Sequence, residues 1–430
     1  MKKICAVLIP GLLAVALVAA QAATSATDAG GDVKRGEYVA RASNCIACHS
    51  HDKGPYAGGT PFGIANSPNI TPDNETGIGT FSLDDFDMAV RKGVSPKGYS
   101  LSVMMPPSYS IMTDADIRDL YAFFTKGVPA VSNEVKDMGA PRKDTPPRAV
   151  TPFAPAKGED PAVARGRYLI EGLGHCGFCH TSRNADGAEK AQWAREGTDF
   201  LAGGGNYAGW IAINLRSDHQ DGLARRSVDD LTEFFLTGRN EATAAFGKMI
   251  EVVETSTHYL TKEDAVAMAS FLKSLPPKDP AKKPFAEDRT VAEMLWRGDD
   301  SKRGAAVYVD SCASCHKTDG SGYARFFPEL RGNPVTMSQD PVSLIHIVLK
   351  GQTLPGFEAA PSSITMPPFG WRLDDRQVAD VVSFIRGSWG NTAPAVEADE
   401  VRKVREDKSL FPDPRVFGDS NVDKLLDTQD

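Results

Sequence analysis

Several things are scarce in this chain of 430 residues. Cysteine is one: seven over this length are too few for a disulfide-stapled scaffold. Positive charge is another. Lys and Arg number 48 against 56 Asp and Glu, for a formal charge of −8. No basic excess is available to neutralise phosphates, which excludes a nucleic-acid binder. Beyond the first 22 residues no apolar run is long enough to cross a bilayer. The alternation of apolar and polar residues that marks β-strands is nearly absent. What is present is ordinary for a globular protein, 41% hydrophobic and 24% charged residues. The length suggests two to four domains. The 39 glycines and 29 prolines imply many loops and at least one linker.

The first residues read as an address. Lys2 and Lys3 precede an apolar run from Ile4 to about Ala20, and Ala20-Gln21-Ala22 supplies a small-x-small cleavage pattern. Residues 1–22 are therefore expected to be a secretory signal, with Cys5 inside it. Its removal takes Lys2 and Lys3 and no acid, which moves the charge from −8 to −10. The mature chain is expected in a periplasm. An oxidising compartment favours disulfides, yet the six remaining cysteines all stand in close pairs.

The pairs are Cys45-Ile-Ala-Cys48-His49, Cys176-Gly-Phe-Cys179-His180 and Cys312-Ala-Ser-Cys315-His316. Each is C-x-x-C-H, the attachment signature of c-type haem. Two thiols on one helical turn reach the two vinyl groups of a porphyrin, and the next residue, histidine, faces the iron. A zinc site would need a second ligand pair, and no further cysteine exists. A redox disulfide would not explain three copies that use every mature cysteine. Three covalent haem c groups are expected.

The first cysteines lie 131 and 136 residues apart, the period of a small domain. The flanks repeat as well: Arg35-Gly-Glu-Tyr38, Arg165-Gly-Arg-Tyr168 and Arg303-Gly-Ala-Ala306. Ser82-Leu-Asp-Asp85, Ser227-Val-Asp-Asp230 and Ser343 after Pro341 mark expected helix starts. Thr113, Thr261 and Asp374 open a last helix in each repeat. Its core faces are Ile117, Leu120, Tyr121 and Phe124; then Ala265, Met268, Ala269 and Leu272; then Val378, Val381, Val382 and Ile385. Proline-rich stretches lie between. The expected organisation is all-α, with three tandem class I cytochrome c domains at 32–138, 160–276 and 300–392. Linkers fill 139–159 and 277–299, and a charged tail fills 393–430.

The second axial ligand decides what such a haem does. Methionine opposite histidine gives an electron carrier. Each repeat offers a candidate before its last helix: Met104 or Met105, followed by Pro106; Met249 in Phe246-Gly-Lys-Met249; and Met366, followed by Pro367. A proline after the methionine stiffens its loop, which favours Met105 over Met104. Met88, Met112, Met138, Met268, Met294 and Met337 are expected as core fillers. His51, His175, His219, His258 and His346 are not expected as ligands. Gly203-Gly204-Gly205 follows no strand pattern and reads as a loop rather than a phosphate cradle.

Longer stretches make the chain resemble a family. They include Ala57-Gly-Gly-Thr-Pro61, Asn69-Ile-Thr-Pro-Asp-Asn-Glu-Thr-Gly-Ile-Gly79, Glu171-Gly-Leu-Gly-His-Cys176 and Ala245-Phe-Gly-Lys-Met-Ile-Glu-Val-Val253. The third repeat adds Gly322-Tyr-Ala-Arg325, Gly332-Asn-Pro334 and Met366-Pro-Pro-Phe-Gly-Trp371. Over residues 33–396 the sequence resembles the triple-haem cytochrome c subunit of membrane-bound gluconate, fructose and alcohol dehydrogenases. The resemblance implies His49, His180 and His316 as proximal ligands and Met249 and Met366 as distal ones. It also implies a separate flavin- or pyrroloquinoline quinone (PQQ)-containing subunit as electron donor, ubiquinone as acceptor, and peripheral contact with the membrane. This chain would then not oxidise the substrate itself. The rival readings are a freestanding periplasmic carrier and a haem enzyme with one open iron, of the kind that oxidises thiosulfate.

Overall fold

The computed structural model describes residues 31–62, 65–97, 104, 107–136, 138, 147–185 and 187–407. The signal expected at 1–22 and the candidate ligand Met105 lie outside them. The described chain is mostly helical. Among the described residues no helix is long and apolar enough to cross a membrane.

One arrangement recurs three times. A first helix (Val33–Ala42, Pro161–Arg167, Ala305–Ser311) leads into a short cysteine-bearing helix (Cys45–His49, Gly177–His180, Ala313–His316). A last helix (Asp114–Ala122, Lys262–Ser274, Asp375–Arg386) packs across the first. Local chemistry starts the helices where expected. Ser82, Ser227 and Asp374 form reciprocal caps with Asp85, Asp230 and Gln377, and Thr113 and Thr261 accept from the backbone three residues on. Asp160 caps a helix that begins with Pro161, whose missing N–H costs nothing at that position.

The repeated Arg-Gly has a packing reason. A side chain at Gly36, Gly166 or Gly304 would put its Cβ 2.0, 1.9 or 2.1 Å from a backbone oxygen of the last helix. Glycine therefore lets the two helices touch. The preceding arginine ties the same crossing, Arg35 to Asp119 at 2.8 Å, Arg165 to Asp264 at 2.7 Å and Arg303 to Asp380 at 2.5 Å.

The expected core faces are buried at Ile117, Leu120, Phe124, Ala265, Met268, Ala269, Leu272, Val378, Val381, Val382 and Ile385, whereas Tyr121 is half-buried with its hydroxyl donating to Phe81 O. Residues of the first two repeats form one continuous apolar core that runs from Val39 to Leu275. The third repeat has its own, and a small cluster of Ala245, Ile250, Val253 and Leu354 lies where the second repeat meets the third.

Four local features differ from the sequence-based expectation. The stretch 277–299 includes the helix Thr290–Trp296, whose Val291, Ala292 and Leu295 bury into the third core. The charged segment after residue 393 includes the helix Ala398–Glu406. Its Val401 and Val404 do the same, while Arg405 reaches across to Asp375 and the carbonyls of Gly370 and Leu373. Ser343 does not cap its helix, which starts at Val342; instead its Oγ accepts from the Ile211 N–H of the second repeat at 2.7 Å. Three short antiparallel pairs also occur: 61–62 with 65–66, 206–207 with 210–211, and 352–354 with 364–366.

Candidate haem centres

The three motifs adopt the same local geometry. Each ends in a histidine at the last position of its short helix. In each, the ring Nδ1 meets a backbone carbonyl: His49 with Pro68 O at 2.8 Å, His180 with Ile213 O at 2.8 Å, and His316 with Pro328 O at 2.9 Å. A carbonyl only accepts, so Nδ1 carries the hydrogen. Nε2 then keeps its lone pair for a metal, and the ring's rotation is fixed. Burial holds all three imidazoles below their ordinary pKa, partly opposed by the carbonyl contact. They are neutral, as an iron ligand must be.

None of the six cysteines is in a disulfide. Burial pushes the thiols of Cys45, Cys176, Cys179 and Cys312 up to about 12 and that of Cys48 up to about 11. A redox-active C-x-x-C pair needs a lowered thiol pKa. These five thiols have the opposite, which argues against disulfide exchange and fits thiols held against an apolar group.

The first centre has a formed cradle. A cavity is lined by Ser43, Cys45, His49, Ile70, Phe86, Val90, Met104, Tyr109, Met112, Leu120 and Phe124. Its polar groups are one imidazole, one thiol, the Ser43 hydroxyl and the Tyr109 phenol, which donates to Ser43 O. With two thioethers on an otherwise apolar wall, it fits a porphyrin with one nitrogen and one sulfur ligand. Met104 and Met112 share that wall, and Met112, expected as a core filler, is 1% exposed. Met366 and Cys312 are both partly buried against the third core. Met249 packs with the small cluster between the second and third repeats.

The remaining histidines have other roles. His175 packs edge-on to Tyr109, and burial lowers its pKa to about 4. His346 stacks on Trp210, with ring centroids 4.0 Å apart. His258 packs on Tyr259 and Phe357. His51 and His219 are exposed. Gly203 forms an isolated bridge with Thr181, its N–H donating to His180 O. Trp210, Ser343 and Gln352 join the second repeat to the third, a role with no local sequence signal.

This fold and these sites define a cytochrome c, and the family described as "Cytochrome c" matches residues 33–126 and 301–389. The chain is 51% identical to the gluconate 2-dehydrogenase cytochrome c subunit of Pantoea cypripedii, over 93% of this chain and 96% of that protein. It is 43% identical to the cytochrome c subunit of the quinone alcohol dehydrogenase of Gluconobacter oxydans, over 92% and 86%. It is 33% identical to the fructose dehydrogenase cytochrome subunit of Gluconobacter japonicus, over 88% and 84%. The chain belongs to the family of cytochrome c subunits of gluconate, quinone alcohol and fructose dehydrogenases.

Proposed function

We propose that this protein is the electron-transfer subunit of a dehydrogenase complex, built as three tandem class I cytochrome c domains joined by proline-rich linkers. It holds three haem c groups and relays electrons from a flavin- or PQQ-containing subunit to ubiquinone. It works in the periplasm, against the cytoplasmic membrane. The observation that carries this reading is the threefold recurrence of one site: a neutral histidine locked to a carbonyl beside two half-buried thiols. Family membership supports the role of electron carrier within a larger enzyme.

Bound haem supplies one-electron chemistry. The residues of this chain attach, ligate and shield it. Cys45 and Cys48, Cys176 and Cys179, and Cys312 and Cys315 anchor the three groups. His49, His180 and His316 are the proximal ligands, and Met249 and Met366 the distal ones in the second and third repeats. In the first repeat the adjacent proline favours Met105, but Met104 lines the cavity of His49, and on that observation we take Met104 as the ligand and Met105 as the alternative. Two axial ligands per iron leave no open position, which supports a carrier over an enzyme. Trp296 and Trp371, 84% and 81% exposed on the third repeat, supply apolar surface suited to a protein or membrane contact.

Purification of the exported protein from its host tests the reading. A co-purifying flavin- or PQQ-containing subunit that reduces this chain when given its substrate is the expected result. A chain that purifies alone and accepts electrons from several unrelated donors would overturn it in favour of a freestanding carrier. A high-spin ferric signal in the native protein would favour the open-site enzyme.

A further inference from the structure

The segment that carries Met249 is tied to both neighbouring repeats. On one side, the helix Lys248–Thr255 packs on the helix Cys45–His49, and Thr255 Oγ1 donates to Asn44 Oδ1 at 2.6 Å. On the other side lies Gln352 of the third repeat. The Gly247 N–H donates to Gln352 Oε1 at 2.6 Å, and Gln352 Nε2 donates to Gly247 O at 3.5 Å. The amide thus holds both the N–H and the C=O of Gly247, two residues before Met249.

Gln352 has a second attachment. It is the strand partner of Met366 in the antiparallel pair 352–354 with 364–366. The residue before it, Gly351, has φ +64° and lies so close that an added Cβ would meet Met366 O at 2.4 Å. One dipeptide therefore holds the backbone of Met366 and, through the Gln352 side chain, the backbone beside Met249. The surroundings allow little slack. Gly247, at φ +60°, lies on the face of Trp210, where an added Cβ would meet the ring at 2.5 Å. Trp210 in turn stacks on His346, from the helix Val342–Lys350 that runs into Gly351.

We propose that Gln352 is a positioning residue that joins the loop carrying Met249 to the strand carrying Met366, so that a change in the third repeat alters iron ligation in the second. The inference rests on Met249 and Met366 being distal ligands. The hydrogen bonds of the Gln352 side chain go to the Gly247 backbone. It acts by fixing the peptide from which the Met249 sulfur is presented. Loss of its acceptor leaves the Gly247 N–H without that partner and lets the loop swing.

The test uses the full-length protein with its haems attached. Proton NMR of the reduced form resolves the methyl signals of iron-bound methionines, shifted far upfield by the porphyrin ring current. Met249→Leu and Met366→Leu assign two of them. Gln352→Leu, close in size but unable to accept, is expected to shift or broaden the Met249 signal. It is also expected to raise imidazole binding at the ferric second centre about tenfold, the equivalent of one hydrogen bond. Gln352→Glu keeps an acceptor for Gly247 and is expected to retain the Met249 signal. Ser343→Ala breaks a different bond between the same two repeats and is expected to leave that signal in place.

A Met249 signal and imidazole affinity unchanged in Gln352→Leu would overturn the proposal. So would an equal disturbance from Ser343→Ala, which would mean that any loosening of this contact suffices. If Met249→Leu removes no upfield methyl signal from the otherwise native protein, the ligand assignment itself falls, and this proposal with it.

Discussion

The hydroxyl of Tyr38 in the first repeat donates to the carboxylate of Asp264 in the second, at 2.5 Å. The reverse contact also exists: Tyr168 of the second repeat donates to Asp116 of the first. The backbone N–H groups of Thr261 and Thr113, the caps of the two last helices, complete the exchange by donating to Tyr38 and Tyr168 at 3.3 and 3.1 Å. Two repeats of one sequence thus clasp each other by equivalent residues, as in a twofold dimer built within one chain.

The clasp makes the first two repeats one cooperative unit. Tyr38→Phe and Tyr168→Phe should each lower stability by about 1.5–3 kcal/mol, the range for a hydrogen bond to a charged partner. Denaturant titration of the haem-bearing protein checks this. Both variants are expected to shift the transition of the first two repeats and leave that of the third in place, because the third has a separate core.

Acid should open the same clasp. Burial works to raise the Asp264 pKa, but hydrogen bonds from Arg165 and Tyr38 outweigh it and hold the carboxyl below its ordinary value. A group with a depressed folded pKa contributes stability above its unfolded pKa and loses it as pH falls through the folded one. Stability of the first two repeats should therefore decline as pH drops below the ordinary aspartate value of 3.8. In Asp264→Asn this part of the decline should be missing. Unfolding midpoints measured down the acid range would show it, and parallel acid limbs in the two proteins would count against the assignment.

Much of this was legible in the sequence, and the reason is locality. Caps at Ser82, Ser227, Thr113, Thr261 and Asp374 depend on residues three apart, and the apolar stripes of the last helices on residues within two turns. C-x-x-C-H is five residues long. The clasp was not legible, because a buried face such as Leu169-Ile170 looks the same whether it packs on its own repeat or on another. The strand pair of Gln352 and Met366 is three residues long, too short for alternation to register. Ser343 sits two residues after Pro341 at a helix start, which favours reading it as a cap, while its partner Ile211 is 132 residues away. The repeated Arg-Gly was visible, but its cause, two helices in backbone contact, lies in the crossing.

Two methionines share the wall of the first cavity with His49, and their substitution should separate them. Met104→Leu is expected to lower the potential of the first centre or open its iron to added imidazole, since the sulfur ligand is lost while the volume is kept. Met112→Leu is expected to cost under about 1.5 kcal/mol and leave ligation intact. Redox titration with and without imidazole checks both. The reverse pattern would make Met112 the ligand, and no effect from either would point to Met105.

Every cysteine pair in the mature chain is expected to hold a haem. Intact-mass spectrometry of the exported protein tests it most directly. The expected mass is that of the chain from residue 23 onward plus three haem groups that survive denaturation, and Cys48→Ala should reduce attachment at the first site alone. A mature protein with fewer than three covalent haems would contradict the account.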